Sequence, residues 1–476
     1  MTATGRLRRG LRPRTARMVF GSAPGELAEE LRLTSQVDLA HVVMLHRCGL
    51  LGTAVAAALL RGILVLRAGD FAELHGVPAP RGTYLMYEGQ LAERLGEAVG
   101  GALHTGRSRN DLKATMTALR IRTWLAGFLS EALRLEAVLL GRARAHRDVV
   151  MPVHTHFQAA MPVTYGHYLL GVAIALGRDL DAVAAAGAGL DRCPMGAGAV
   201  AGTDLPLDPD LVAVLLGFER GPAHAIDAVA SRDVLLRLLA AVAGLGITLS
   251  RLATDLQLWS SAEFGFVTLP DHLVGGSSAM PQKRNAFLFE HVKAKAGAAI
   301  GAWTAAASMT KSTPFTNTIE VGTEAVAAAW PGLHAVAEAV LLSQVLAGGT
   351  APVPARMRRR AEEGFTVATA AANRMVRGGV PFRRAHHEVG AAVRAAIERG
   401  ETTLDSAGPD VAAVAAATAT GGGPGAFAAT FAEARQAAVR RAARCRERRD
   451  HLRAAAGGLD RAVAEVLHSG GRDHAS

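Results

Sequence analysis

Apolar side chains recur at three- and four-residue spacing through long runs of alanine, leucine, arginine and glutamate, a pattern that predicts helix. The clearest run, residues 233–264, contains too few breakers to be anything but one helix, about 45 Å long. Residues 123–148, 162–190 and 287–309 predict further long helices. Such helices can bury an apolar stripe only in a bundle, within one chain or between chains. The sequence therefore predicts an all-α protein built on long helices.

Two segments rich in proline and glycine, residues 77–84 and 348–354, interrupt this helical pattern. They suggest three mostly helical domains. The predicted boundaries are 1–112 for the N-terminal domain, 113–355 for the central long-helix bundle and 356–476 for the C-terminal domain.

The composition is that of a folded globular protein, with 50% hydrophobic and 20% charged residues in a chain of 476. No apolar run reaches the 18 or more residues that a membrane span needs, and the N-terminus lacks the apolar core of a secretory signal. We therefore expect a cytoplasmic protein. Cys48, Cys193 and Cys445 are an odd number without metal-ligand spacing, which argues against a disulfide framework and a zinc site.

The net charge of +10 favours anionic partners, which could be small acids, nucleic acid or a membrane surface. Much of the excess lies in two basic runs, residues 6–17 and 439–453. No aromatic residues interleave with these charges for base stacking, so a solvated helix face or a loose tail is the better interpretation than a nucleic-acid site.

Three polar segments break the helical pattern: LHTGRSRND at residues 103–111, MPVHTHFQ at 151–158 and GGSSAMPQKRN at 275–285. Each is at or near a predicted helix end, where unpaired backbone N–H groups can hold anions. Taken singly, each also has a structural explanation: a turn with a helix cap, a pair of surface histidines, and a glycine linker.

The chemistry of the three segments is nevertheless complementary. Ser277 and His156 are candidates for moving protons. Donors and positive charge suited to carboxylates come from a larger set, namely Ser108, Arg109, Asn110, Thr155, Lys283 and Asn285. The sequence contains no competing metal cluster, nucleotide-binding loop or redox motif.

These segments resemble the motifs of argininosuccinate lyase, within the fumarase/aspartase superfamily. HTGRSRND is a hallmark of that branch, THFQ is similar to its second motif, and GSSAMPQKRN is similar to the superfamily signature. The likeness continues through residues 194–203, 231–233 and 379–390 and covers roughly residues 35 to 400. The resemblance implies a fumarase/aspartase-type fold whose central bundle forms a homotetramer, with active sites shared between three subunits.

The resemblance also implies the chemistry. Ser277, on a mobile glycine loop, would remove a proton beside a carboxylate, while Lys283 stabilises the charge that develops. His156, oriented by Glu290, would help protonate the departing nitrogen. The implied substrate-binding residues are Ser108, Arg109, Asn110, Thr155, Gln158, Asn285 and Glu320. The expected reaction is β-elimination of fumarate from a small dicarboxylate, an N-substituted aspartate, with argininosuccinate as first choice. No cofactor, metal, membrane or nucleic acid is expected to take part.

The sequence departs from the family where the leaving group is chosen. In the segment FTNTIEVGT, residues 315–323, Phe315 stands in place of the usual tyrosine, Glu320 in place of glutamine and Thr323 in place of lysine. Lost charge-assisted hydrogen bonds are worth about 1.5–3 kcal/mol each. Two alternatives to argininosuccinate cleavage therefore remain: a paralogous lyase that releases fumarate from another substituted succinate, and a catalytically inactive structural paralogue.

Overall fold

A computed structural model describes residues 12–20, 26–404 and 410–472. The helices are α1 (Pro13–Phe20), α2 (Glu26–Arg47), α3 (Thr53–Ala68), α4 (Thr83–Leu95), α5 (Glu97–Gly100), α6 (Arg109–Ala145), α7 (Tyr165–Ala186), α8 (Pro209–Leu215), α9 (Ala225–Ala230), α10 (Asp233–Trp259), α11 (Leu288–Thr310), α12 (Ala325–Gly349), α13 (Pro354–Glu362), α14 (Ala368–Arg377), α15 (Phe382–Glu398), α16 (Val411–Ala417) and α17 (Phe427–Arg472). The strands are β1 (Val150–Thr155), β2 (Gln158–Thr164), β3 (Val267–Thr268) and β4 (Ala351–Pro352).

Helices α6, α7, α10, α11 and α12 pack side by side as the central bundle, so the predicted helical fold is confirmed. Small residues let the helices approach closely. A Cβ on Gly166 would come within 2.4 Å of the Ala143 carbonyl oxygen of α6, and one on Gly332 of α12 within 2.3 Å of the Ala302 Cβ of α11. A larger side chain at either position would push the helices apart.

The predicted helix boundaries hold for some segments and not for others. Residues 287–309 predicted α11 to within one residue at each end, but α10 ends at Trp259 rather than at residue 264. There the chain reverses: Gly265 has φ +60°, and the Phe266 amide donates to the Trp259 carbonyl at 2.9 Å. The helix predicted for 123–148 is the second part of α6, which begins at Arg109.

The second polar segment forms a β-hairpin, which the sequence analysis did not predict. Strands β1 and β2 pair antiparallel from Val150–Thr164 to Thr155–Gln158. His156 and Phe157 form the two-residue turn with φ values of +52° and +60°. At the base of the hairpin, Val150 packs in a small apolar cluster with residues from α13, α16 and the α13–α14 connection, namely Ala361, Val367, Val411 and Val414.

The bundle has two distinct ends. Helix α11 follows the 275–285 loop, and its 23 residues span about 35 Å before the 315–323 segment. We call the end with the β1–β2 hairpin and the 275–285 loop the loop end. The opposite end, where α6 begins and the 315–323 segment lies, is called the cap end. There Arg232, just before α10, donates to the Val321 carbonyl at 3.1 Å.

Helix α17 has 46 residues and is about 69 Å long. It runs along α6 and α7 and reaches α2 and α3. Leu459, Ala462, Val463 and Val466 are buried in the main core near its C-terminal end. The predicted boundary at residue 356 remains a prediction, and α17 packs against helices that precede this boundary, namely α2, α3, α6 and α7.

The basic run 439–453 lies within α17. Several of its guanidinium groups form ion pairs with carboxylates of α6 and α7, so part of this basic run packs against the bundle and is not a solvated face. Residues 6–11 of the N-terminal basic run lie outside the described residues.

The bundle also exposes apolar side chains. Ile247 of α10, Trp303 of α11 and Val345 of α12 are 48%, 40% and 50% exposed. Two helical stretches, Asp233–Trp259 and Glu320–Gly349, are long and apolar enough to cross a membrane by length and composition alone. Both are members of the bundle, so their apolar character has a packing explanation within the protein.

Candidate active site

The HTGRSRND segment forms the start of α6 at the cap end. Ser108 is the N-cap residue: its Oγ accepts from the Asn110 amide at 3.3 Å, and its own amide donates to Asp111 Oδ1 at 3.0 Å. The other Asp111 oxygen accepts from the Gly196 and Gly198 amides at 3.2 and 2.9 Å. Asp111 therefore joins the start of α6 to the 194–203 loop, and Ser108 and Asn110 are held in a defined position.

Arg107, in the same motif, attaches the segment to the protein core. Its guanidinium is fully buried, with Nη1 2.5 Å from Asp38 Oδ1 and Nη2 2.7 Å from the Tyr84 hydroxyl. Burial would lower the pKa of Arg107, but Asp38 and Tyr84 hold it above its ordinary value. Arg109 by contrast is exposed and donates to the Arg81 carbonyl at 3.2 Å. The arginine available to a substrate is thus Arg109.

The divergent 315–323 segment meets the HTGRSRND motif directly. Asn317 Nδ2 donates to Asn110 Oδ1 at 3.0 Å, and Asn110 Nδ2 donates to the Ala199 carbonyl at 3.2 Å. Phe315 is 67% exposed, and Glu320 is also exposed at the start of a π-helical turn, Glu320–Glu324. A hydrogen bond from its own amide lowers the pKa of Glu320, so this position presents a carboxylate.

The 275–285 loop projects at the opposite, loop end. Gly275 and Asn285 close its base with two backbone hydrogen bonds of 2.9 and 2.7 Å, and Asn285 Nδ2 donates to the Gly276 carbonyl at 3.2 Å. Ser277 is half-buried, and its Oγ accepts from the Ala279 and Met280 amides at 3.3 and 3.1 Å. Two N–H donors aimed at one oxygen favour its deprotonated form, as a serine base requires.

Lys283 and Glu290 lie after Ser277 at the same end. Lys283 is exposed, and only its backbone is engaged within the loop, through a 3.1 Å hydrogen bond to the Met280 carbonyl. Glu290, in the first turn of α11, accepts from Gln257 Nε2 of α10 at 3.0 Å. The ammonium of Lys293 donates to the other end of that amide at 2.7 Å, which fixes its orientation.

The hairpin turn exposes Thr155, His156 and Gln158. The neighbouring His154 instead packs against the Phe264 and Phe266 rings, and burial together with Arg360 lowers its pKa. His154 is therefore structural, while His156 points away from the protein's own core. Among the described residues of one chain, no hydrogen bond joins His156 to Glu290.

Within a single copy of the chain, the predicted site residues therefore lie in two separate groups. Ser277, Lys283, Asn285, Glu290, Thr155, His156 and Gln158 lie at the loop end, and Ser108, Arg109, Asn110 and Glu320 lie at the cap end. Because α11 separates the ends by about 35 Å, one copy cannot place both groups around one small substrate.

Sequence reasoning missed several residues that position this site. Arg107, Asp111 and Asn317 make buried or motif-to-motif contacts but were not singled out. The Ser-Arg-Asn-Asp run does have the spacing of a capping box, which could have identified Asp111. No local signal pairs Asn317 with a residue 207 positions away.

Comparisons with known proteins agree with the fold and the motifs. Residues 66–301 match the lyase family model, and residues 365–419 match the argininosuccinate lyase C-terminal model. An argininosuccinate lyase of Methanoculleus marisnigri is 39% identical over 365 residues, which cover 75% of this chain and 73% of that protein. One from Mycobacterium avium is 38% identical over 383 residues, covering 79% and 80%.

Solved structures show the same architecture. EDDS lyase in complex with formate superposes with a TM-score of 0.84 at 26% identity, covering 96% of this chain and 99% of that one. The class II fumarase of Schistosoma mansoni gives a TM-score of 0.67 at 17% identity, covering 79% and 85%. At that identity the fumarase shows the fold alone.

Proposed function

Because the chain belongs to the argininosuccinate lyase family, we propose that it cleaves argininosuccinate to arginine and fumarate. The observation that carries the proposal is the environment of Ser277: a half-buried hydroxyl on a glycine loop, with two backbone N–H groups directed at its oxygen. Such donors stabilise the alkoxide that must form before this residue can remove a proton from carbon.

In the proposed reaction Ser277 removes the proton beside a substrate carboxylate. Lys283 and Asn285 hold that carboxylate as negative charge builds on it, which is where fixed donors lower the barrier most. The C–N bond then breaks, and His156, oriented by Glu290, protonates the departing nitrogen. Thr155 and Gln158 on the hairpin, with Ser108, Arg109 and Asn110 at the start of α6, bind the rest of the substrate.

This mechanism requires more than one copy of the chain, and we propose a cytoplasmic homotetramer. Two observations support assembly. Helix α11, about 35 Å long, lies between the loop-end and cap-end residues of one copy, and the bundle helices expose apolar side chains such as Trp303 and Val345. Association would bury these side chains and bring the loop end of one copy to the cap end of another.

A second candidate substrate class follows from the cap end itself. Phe315, Glu320 and Thr323 replace three side chains that the family pattern carries, and Glu320 presents a carboxylate there. That carboxylate suits any cationic leaving group, arginine included, but Phe315 and Thr323 lack the phenol and the ammonium group of the family pattern. The proton-transfer residues are unchanged. Cleavage of another N-substituted aspartate is therefore the alternative to be tested beside argininosuccinate.

Fumarate release, followed by its ultraviolet absorbance, separates these alternatives. The wild-type protein should release fumarate from argininosuccinate. Ser277→Ala should abolish release without changing the elution volume on size exclusion, whereas Ser278→Ala in the same loop should retain most of it. Release from other N-substituted aspartates, but not from argininosuccinate, would identify the second substrate class. Unchanged turnover in Ser277→Ala would remove this residue from its role.

A further inference from the structure

A cavity of about 490 Å³ lies where α17 crosses α6 and α7, and its lining includes none of the proposed active-site residues. We call it the α17 cavity. One of its walls is the basic run 439–453, which the proposed reaction does not use. Its volume is in the range of small-molecule sites.

One end of the α17 cavity is closed by satisfied ion pairs. Arg441 binds Glu136 and also Asp181, the latter at 2.9 Å, and Arg444 binds the other oxygen of Asp181 at 2.8 Å. Each charge at this end has a partner of opposite sign. A ligand gains little by replacing them.

The other end holds charges that are less well compensated. Arg122 is 4% exposed and donates to the Leu216 and Gly217 carbonyls, while its Nε has no partner. Among the described residues, no carboxylate forms an ion pair with Arg122. Burial, with the like charge of Arg448 nearby, lowers the pKa of Arg122 to about 10. The Nε is itself buried, so a ligand can reach only the terminal nitrogens of Arg122. Arg448 also lines this end and donates to the Gly187 carbonyl at 3.3 Å. Each guanidinium has further N–H groups beyond those that bind these backbone carbonyls.

Carboxylates face the same end. Asp191 lies 3.6 Å from Arg448, too far for a hydrogen bond, and Glu219 also lines the cavity. Burial raises the pKa of Asp191, and the like charge of Glu219 adds to that shift. A simple anion would meet these carboxylates, and a simple cation would meet the two guanidinium groups.

Between the two ends the lining is apolar. Leu129 and Leu133 of α6 and Leu180 and Ala184 of α7 form this middle section. A ligand that fits this cavity therefore carries a positive and a negative charge close together, next to an apolar part. The charged groups would lie at the end lined by arginines and carboxylates, and the apolar part would lie in the middle section.

We propose that the α17 cavity binds a free α-amino acid with an apolar side chain. The carboxylate lies at Arg122 and Arg448, the ammonium group lies at Asp191 and Glu219, and the side chain covers Leu133. The site is separate from the reaction proposed above, and its test is a binding measurement that does not depend on turnover.

Three probes with the same ring test the charge requirement by calorimetry on the full-length wild-type protein. L-phenylalanine carries both charges, 3-phenylpropanoate lacks the ammonium group and 2-phenylethylamine lacks the carboxylate. We expect L-phenylalanine to bind with one site per chain and each analogue to bind at least about tenfold more weakly. Absence of L-phenylalanine binding, or equal binding of either analogue, would overturn the proposal.

Variants place the binding site within the chain. Ala184→Trp, which fills the apolar middle, and Arg448→Met should each abolish L-phenylalanine binding. Arg453→Met is the matched control, because Arg453 lies on the same helix in an exposed pair with Asp450. It should bind as the wild type does. L-phenylalanine should also slow alkylation of Cys445, which lines the cavity, and leave Cys48 unaffected. Loss of binding in all three variants, or equal protection of both thiols, would contradict the assignment.

Discussion

Replacing Arg107 by methionine removes a buried charge beneath the HTGRSRND segment and keeps the length of the side chain. Asp38, also fully buried, then loses its cationic partner, and the Tyr84 hydroxyl loses a donor. Breaking a buried pair by removing one partner costs about 3–5 kcal/mol, because the remaining charge is desolvated without compensation. We expect a loss of stability in that range.

Arg32→Met is the control for this measurement. Arg32 pairs with Asp70 at 2.7 Å, but their side chains are 58% and 62% exposed. An exposed pair of this kind contributes about 0–1 kcal/mol. Urea unfolding at one fixed protein concentration should therefore separate the two variants clearly.

Two further measurements sharpen the test. Asp38→Asn combined with Arg107→Met should be more stable than Arg107→Met alone, because the orphaned charge is gone. Fumarate release by Arg107→Met should show reduced kcat/KM, since Arg107 immediately precedes Ser108. The reasoning fails if Arg107→Met unfolds within about 1 kcal/mol of Arg32→Met, or if Asp38→Asn gives no recovery.

Three other substitutions test separate features. Asp111→Asn places an amide donor among donors such as the Gly198 amide, so it should cost about 1–3 kcal/mol in urea unfolding and weaken turnover. Burial, reinforced by a nearby arginine, holds the pKa of His41 well below 6.5. The unfolded chain therefore binds a proton at His41 that the folded chain does not bind, and the free energy of unfolding decreases as the pH falls below about 6.5. In His41→Gln the pH dependence of the free energy of unfolding should be weaker by up to about 1.4 kcal/mol per pH unit. Gly166→Ala forces a Cβ against the α6 backbone and should lower the thermal midpoint, whereas Gly171→Ala, with open space around it, should leave the midpoint unchanged or raise it.

The long helices could be predicted because the apolar residues that recur every three or four positions are the residues that each helix buries in the bundle. For α11 the predicted and observed boundaries differ by one residue. The β1–β2 hairpin could not be predicted in this way. Its turn places His156 and Phe157 at positive φ, without the glycine or asparagine that usually indicates such a turn. The local sequence shows polar residues there but not their conformation.

The candidate site was predictable as residue types but not as an arrangement. The sequence shows two similar arginines in HTGRSRND, and only the three-dimensional structure shows that Arg107 is buried on Asp38 while Arg109 is exposed. The contact between Asn110 and Asn317 joins positions 207 residues apart. Such contacts depend on how the whole bundle packs, so no local pattern indicates them.

The path of α17 has a consequence for folding during translation. Leu459, Val463 and Val466 complete a core that begins with α2 and α3, more than 390 residues earlier in synthesis. Helices α2 and α3 therefore leave the ribosome early, and the apolar surface that α17 covers stays exposed until α17 has been translated. Chaperone binding, measured on nascent chains of increasing length and on the released chain, should persist until about residue 466 is free of the ribosome.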